Sequence, residues 1–454
     1  MEITRFAPSP TGHLHLGGAR TALFSYLFAK ANKGKFLLRF EDTDQERSKD
    51  EYVESILNSL DWMQIKIDSD PVYQSKKAMK HKELALELYK KGFAYACDCS
   101  EEALTKMREE QIAKKQKPKY NGLNRDQDIE FTEGMVLRFK FPLEGSSKFK
   151  DLILGDIAIN NKEFDDFIIL RSDGSPTYNF CAAVDDMEMK ITTVIRGDDH
   201  ITNTLKQINV LDALGATIPS YAHLPMVLAE SGKRLSKRDG AEDILDYKKK
   251  GYLNDALVNY LVRLGWSHGE EEIFSLEKLK KIFNLEDVNS SPSKYSQELL
   301  DWYNNKYLNL LTPEDLILKV KENSGVDFNQ INNGKLAISL LAKGAHSLHQ
   351  IAEESAYFFE EPQTKFDLLK IDSDKKILLS EFSEQLKEID FKKNQIEDFI
   401  KEFLRAKNLK FPELGKPLRV ILTGKENAPS ISELLFILGK ENSLKRIEYT
   451  LKDG

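Results

Sequence analysis

Pro8-Ser9-Pro10-Thr11-Gly12-His13-Leu14-His15-Leu16-Gly17-Gly18-Ala19-Arg20 follows a short apolar strand at residues 3–6 and opens a helix expected over residues 19–31. A strand, a glycine-rich corner and a helix N-terminus make a phosphate site, because free N–H groups and the helix dipole face the anion together. Gly17 and Gly18 let a nucleotide lie against the backbone with no Cβ between them. Far downstream stands Lys233-Arg234-Leu235-Ser236-Lys237-Arg238, flanked by Gly232 and Gly240. Such a loop reads as a phosphate clamp. His15 and Lys237 bring donors and charge to the α-phosphate as it gathers negative oxygen, so both are assigned catalytic roles. Either segment alone is a weak signal. Together, in this order, they imply that the chain holds ATP by its phosphates and moves an adenylyl group.

The rest of the chain fits a large globular protein. Its 454 residues suggest about three domains at roughly 150 residues each. The composition is ordinary, 41% hydrophobic and 31% charged. No window approaches the roughly 18 apolar residues that cross a membrane, and a cleaved leader would have to include the phosphate site, which starts at Arg5. A cytoplasmic protein with no membrane partner is expected. Three cysteines, Cys97, Cys99 and Cys181, form no disulfide framework and suit a reducing compartment. The net charge of −7 speaks weakly against nucleic acid, but the average hides clusters. Lysines and arginines gather at 114–119, 233–238, 248–250 and 392–393. Local positive surface, and not net charge, decides phosphate-backbone binding. Most runs of this kind are only solvated faces, so composition leaves the question open.

Strand and helix alternate through the first ninety residues, with a second strand at 35–40 and helices at 46–62 and 75–91; this favours a parallel α/β sheet. From Cys97 to Leu152 the pattern becomes a charged helix, a loop rich in Pro, Gly and Asn, and short strands, as expected of an insertion. Residues 167–170, the turn at 172–176 and residues 177–184 read as a β-hairpin, which places Cys181 in an apolar strand. A strand at 191–196 and a helix at 198–214 follow. Beyond Ala241 apolar residues recur at three- and four-residue spacing, and residues 430–451 read as a helical pair broken at Gly439.

These segments resemble class I aminoacyl-tRNA synthetases. His15-Leu16-Gly17-Gly18 stands where that class has its HIGH-type motif, and Arg234-Leu235-Ser236-Lys237-Arg238 where it has its KMSKS-type loop. Arg39-Phe40-Glu41-Asp42-Thr43-Asp44, Asp173-Gly174-Ser175-Pro176-Thr177-Tyr178-Asn179-Phe180 and Val194-Ile195-Arg196-Gly197-Asp198-Asp199-His200 are similar to the glutamate branch, and Pro417-Leu418-Arg419-Val420-Ile421-Leu422-Thr423-Gly424 to the helical anticodon-binding region of bacterial glutamyl-tRNA synthetases. The resemblance spans nearly the whole chain.

It implies a Rossmann-type α/β nucleotide-binding domain with an inserted α+β acceptor-binding domain, followed by all-α stem-contact and anticodon-binding domains. The expected segments are 1–96 and 166–230 for the two catalytic halves, 97–165 for the insertion, 231–310 for stem contact and 311–454 for the anticodon. It implies glutamyl-adenylate formation from L-glutamate and ATP with Mg²⁺, then transfer to tRNA-Glu, by a monomer. A carboxylate is already a competent nucleophile, so catalysis needs positioning and charge neutralisation and no side-chain base. ATP would be held by Pro8, Ser9, Pro10, Thr11, Gly12, His15, Gly17, Gly18, Arg234, Leu235, Ser236, Lys237 and Arg238. Glutamate would be held by Arg5, Ala7, Ser9, Glu41, Tyr178 and Arg196, with Arg5 on the side-chain carboxylate and Glu41 on the ammonium group. Arg234 replaces the family's lysine, keeping the charge on a planar guanidinium.

Two departures stand out. Some bacterial relatives hold structural zinc through Cys-x-Cys and a later Cys-x-His; this chain has Cys97-Asp98-Cys99 but then Asn124-Arg125-Asp126, too few ligands for a tetrahedral site. No structural zinc is expected. Discriminating members place an arginine that reads the last anticodon base near the position of Gly344, so tRNA-Gln is an alternative substrate. A catalytically silent RNA-binding paralogue is a more distant alternative, against which His15, Gly17 and Lys237 argue.

Overall fold

Ile3–Phe6 and Lys35–Phe40 are apolar runs buried along most of their length, as strands covered on both faces must be. The computed structural model describes every residue except Gln45, Arg234, 236–241, 363–372 and Gly454, together with the side chain of Asp453. In it these runs, β1 and β2, pair in parallel with Ile3 opposite Lys35, joined by helix α1 (Leu16–Ala31). Helix α2 (Asp50–Trp62) leads to β3 (Val72–Tyr73), which extends the parallel sheet beyond β2. Then come α3 (Ala78–Lys90), β4 (Ala94–Cys97), α4 (Glu101–Ala113), β5 (Val136–Phe139), the hairpin β6 (Ser146–Asp151) and β7 (Gly155–Asn160), and β8 (Ile168–Leu170). Strands β4, β5 and β8 form a separate antiparallel sheet. Its apolar face closes on α3, on α5 (Tyr178–Glu188) and on α6 (Ile201–Ala213), burying Leu88, Phe139, Ile169, Phe180 and Leu205.

The parallel theme resumes with β9 (Thr193–Gly197) and β10 (Ser220–Leu224), and the β6–β7 hairpin joins the far edge of β10. Thr192 donates its N–H to the Ile3 carbonyl at 2.9 Å, which sets β1 beside the start of β9. Arg5 lies near the carboxyl end of β1, Glu41 just beyond that of β2 and Arg196 near that of β9. In open parallel sheets this edge is where ligands bind.

The chain divides into two compact units, Met1–Asp246 with Leu257–Gln297, and Tyr247–Ala256 with Glu298–Gly454. The remaining elements of the chain are β11 (Val227–Leu228), α7 (Ile244–Lys249), α8 (Asn254–Arg263), α9 (Leu276–Ile282), β12 (Ser293–Lys294) and α10 (Gln297–Leu310), then α11 (Pro313–Ser324), α12 (Gly334–Ala342), α13 (Leu348–Glu354), α14 (Ala356–Phe359), α15 (Ser373–Glu388), α16 (Lys393–Ala406), α17 (Phe411–Thr423) and α18 (Ile431–Asp453). Every α or β element of the second unit's described residues is a helix, as the spacing predicts. Gly439 breaks α18 at φ 79° and ψ 166°. Among the described residues no helix is long and apolar enough to cross a membrane.

The expected hairpin at 167–184 is corrected. The turn exists, with Arg171 N–H on the Ser175 carbonyl at 2.8 Å and a bridge between Leu170 and Pro176. Its second arm stops there, and Tyr178–Glu188 is the helix α5, which contains the buried Cys181. Phe180 through Asp186 are all buried, so the segment has no solvent face, and the usual period-3.6 contrast between apolar and polar is missing.

Candidate active site

Helix α1 starts at Leu16, earlier than its apolar pattern suggests, because His15 acts as its N-cap: the Gly18 N–H donates to His15 Nδ1 at 3.3 Å. With Nδ1 accepting, the proton of a neutral ring sits on Nε2. Gly17 and Gly18 thus form the first turn, where the free N–H groups are. A Cβ on Gly18 would lie 2.9 Å from Leu14 Cδ1. A side chain there would therefore have to push the buried end of Leu14 aside.

A cavity of about 480 Å³ opens over this turn. Arg5, Ala7, Ser9, His15, Gly17, Gly18, Glu41, Tyr178, Arg196 and Leu235 all line it, so residues expected to hold glutamate share one space with residues expected to hold the nucleotide. Pro8, Pro10, Thr11 and Gly12 do not line it. The first two brace the loop from behind: the Pro8 carbonyl accepts from Glu41 N–H at 3.0 Å and the Pro10 carbonyl from Lys49 N–H at 3.1 Å. Arg234, Ser236, Lys237 and Arg238 lie outside the described residues. The lining also includes Arg20, Asp199 and His200, which stand in the quoted motifs but were given no site role, and Thr21 and Met226, which lie outside them.

The two arginines at the centre differ sharply. Arg5 donates from Nε and Nη2 to the two oxygens of Asp186, at 3.0 and 3.3 Å. Arg196 is equally buried yet makes no ion pair among the described residues. It donates to Thr204 Oγ1 at 2.6 Å and to His223 Nε2 at 3.5 Å, and sits 5.7 Å from the centre of the Tyr221 ring. His223 Nδ1 lies 2.6 Å from Asp151 Oδ2, and burial pushes this imidazole below its usual range. A neutral His223 donating from Nδ1 and accepting at Nε2 satisfies all these contacts. Burial likewise lowers the Arg196 guanidinium, the sign of a cation that wants an anion.

Glu41 accepts from Arg39 Nη2 at 3.1 Å, and burial raises its carboxyl despite that arginine. Burial would also raise Asp186, but Arg39 and Arg5 together hold it down at about 2. Tyr178 is pushed up to about 12 by burial and by Glu41, so its hydroxyl, 3.2 Å from His200 Nδ1, is a neutral phenol. One floor thus offers a cation with no carboxylate partner among the described residues, a buried anion, a phenol and a capped helix N-terminus. That set suits an amino acid with two carboxylates lying beside a polyphosphate.

The family model for the catalytic domain of class I tRNA synthetases (E and Q) matches residues 3–302, and an anticodon binding domain matches residues 296–451. The chain is 44% identical to a glutamate–tRNA ligase of Nitrosospira multiformis, over 99% of this chain and 98% of that protein. It is 44% identical to that of Nitrosomonas eutropha over 98% of each. A crystal structure of a glutamate–tRNA ligase from Elizabethkingia meningosepticum, in complex with its amino acid, superposes with a TM-score of 0.90 at 31% identity, covering 100% of this chain and 99% of that one. The chain belongs to the glutamate–tRNA ligases.

For a glutamate–tRNA ligase, the Cys97 region is built unlike a four-ligand metal site. Cys99 Sγ lies 2.9 Å from Asn124 Oδ1, and Cys97 Sγ is 3.5 Å from the Tyr120 hydroxyl and 3.4 Å from Arg138 Nε. Arg125, the next residue of the later triplet, pairs instead with Asp166. Among the described residues no group of three or more His, Cys, Asp or Glu side chains could hold a metal ion.

Proposed function

We propose that the cavity is where this ligase forms glutamyl-adenylate, and that its residues divide the work as follows. The enzyme attaches L-glutamate to tRNA with ATP, supplied as MgATP. The phosphates of ATP lie over the first turn of α1, with His15 Nε2–H donating to an α-phosphate oxygen. The α-carboxylate of glutamate attacks the α-phosphorus, the bond to the bridging oxygen breaks, and pyrophosphate leaves. A ribose hydroxyl of the tRNA terminus then takes the glutamyl group from the adenylate, and AMP departs. Lys237, with Arg234 and Arg238, neutralises the departing phosphates and Ser236 donates a hydrogen bond to them, roles that rest on sequence alone.

Glu41 receives the ammonium group and Tyr178 donates its phenol. The pairing of Arg5 with Asp186 favours Arg196 for the side-chain carboxylate, the reverse of the order expected from sequence. Arg5 is electrostatically close to Glu41 and hence suits the α-carbon end. Ala7 and Ser9 close the pocket. The observation that carries this reading is Arg196, buried, without a carboxylate partner among the described residues, and lining the same cavity as the first turn of α1. ATP–pyrophosphate exchange with glutamate, run with and without tRNA, tests it. Exchange is expected when tRNA is present and near blank without it; no exchange in either arm overturns the reading.

We further propose that the enzyme works as a cytoplasmic monomer, with catalytic halves at 1–96 and 166–230, the acceptor-binding insertion at 97–165, stem contact at 231–310 and anticodon binding at 311–454. It also charges tRNA-Gln. Gly344 supports this last reading: it is exposed in the turn between α12 and α13, where it brings no side chain to an anticodon base. The turn itself is braced by Asn305 Nδ2, which donates to the Ala345 carbonyl at 2.8 Å.

A further inference from the structure

We propose that Asp185 and Asp186, adjacent on α5, are positioning residues for amino-acid selection, holding Arg5 and Glu41 in place from behind the cavity wall. This rests on the glutamate-pocket reading given above. Neither aspartate lines the cavity, and neither does Arg39, through which they act.

The connections form a continuous buried network. Asp186 grips Arg5 with both oxygens, and its Oδ1 also accepts from Arg39 Nη1 at 2.6 Å. A guanidinium held by two nearly parallel bonds cannot turn about its long axis, so its remaining edge is aimed. Arg39 is fully buried and reaches three carboxylates: Asp186, Glu41 at 3.1 Å and Asp185 with 3.9 Å between Nε and Oδ2. Asp185 is anchored in turn by Gln74 Nε2 at 2.7 Å and His81 Nε2 at 2.8 Å, both from the segment that enters and forms α3. Arg39 therefore sits between an anchored carboxylate and the two groups that shape the pocket. It takes one oxygen of Glu41, which sets how that carboxylate faces an incoming ammonium group.

Burying two arginines with three carboxylates is seldom the most stable way to fill a core; apolar side chains of equal volume often do as well or better. A purely structural cluster would also gain nothing from ending on two residues of the cavity lining. Loss of a structural cluster weakens the whole fold and disturbs both substrates alike. Loss of a positioning cluster disturbs glutamate and spares ATP.

The test is steady-state charging of tRNA-Glu by the full chain, varying glutamate and ATP separately, for Asp186→Asn, Asp185→Asn and Arg196→Ala, with thermal unfolding of each. Asp186→Asn is expected to raise the KM for glutamate about 10- to 100-fold, the scale of a charge-assisted hydrogen bond. Its KM for ATP should stay within about twofold of the wild type, below what one neutral hydrogen bond contributes. Asp185→Asn, acting through Arg39, should move the same constant in the same direction by less. It also serves as the reading if Asp186→Asn fails to fold. The proposal is overturned if the folded variants leave the glutamate KM unchanged, or raise both KM values together. Should Arg196→Ala also leave the glutamate KM unchanged, the pocket reading itself is at fault, and the positioning role falls with it.

Discussion

A guanidinium taken out of water loses hydration that only an anion or several acceptors can replace. At Arg196 the chain supplies Thr204, His223 and the ring of Tyr221, but no carboxylate among the described residues. Glu41 is the complementary case, an anion whose burial raises its carboxyl above the ordinary value of 4.5 even with Arg39 beside it. The sign of that shift has a kinetic consequence. With Glu41 as the proposed ammonium site, only its ionised form attracts that group, so glutamate capture is expected to be lost as pH falls, beginning above the ordinary carboxylate value. Asp186, held at about 2, stays ionised throughout and adds nothing to this limb. Initial rates across acid pH should show kcat/KM for glutamate falling with a midpoint above 4.5, and kcat/KM for ATP lacking that limb. Parallel acid limbs for the two substrates would count against Glu41 as the ammonium site.

Among the elements, α18 shows how one residue sets a local path. Gly439 adopts φ 79° and ψ 166°, a region that side chains with a Cβ rarely enter. Gly439→Ala is expected to destabilise the second unit by about 1–3 kcal/mol, the usual strain of such a position. The denaturant midpoint of the full chain checks this, and an unchanged midpoint would show that the kink tolerates a side chain. The break at Gly439 was legible because glycine interrupts an otherwise regular helical pattern. So was the phosphate corner, where the motif is local: strand, glycines and helix start within a few residues. Helix α5 was not, because burial on every side erases the contrast on which periodicity depends. Nor were the roles of Arg39, Asp185 and Asp186, whose partners lie up to 181 residues away and leave no trace in spacing. The one available hint was a pair of consecutive aspartates directly after the apolar run 180–184, an odd place for two charges with no partner in sequence.

For the molecule as a whole, a catalytic segment and an anticodon-binding segment follow one another along the chain, and the proposed site for tRNA choice lies apart in sequence from the proposed glutamate pocket. Gly344 is exposed and a Cβ built on it would meet nothing within 4 Å, so its backbone has room for a side chain. Gly344→Arg is expected to raise the preference for tRNA-Glu over tRNA-Gln in kcat/KM by about tenfold, the discrimination that one arginine–base pairing supplies. Charging of the two purified tRNAs measures it; strong exclusion of tRNA-Gln by the unmodified enzyme would remove the premise. The hydrogen bond between Thr192 and Ile3 has a different bearing, on how the protein is born. These residues stand 189 positions apart, so the first strand emerges from the ribosome long before its later neighbour exists. At about 5–20 residues per second that wait is roughly 10–40 s. For nearly all of it, Arg5 has no Asp186 to hold it. A nascent chain halted short of α5 would therefore have a phosphate corner but lack the carboxylate that holds Arg5.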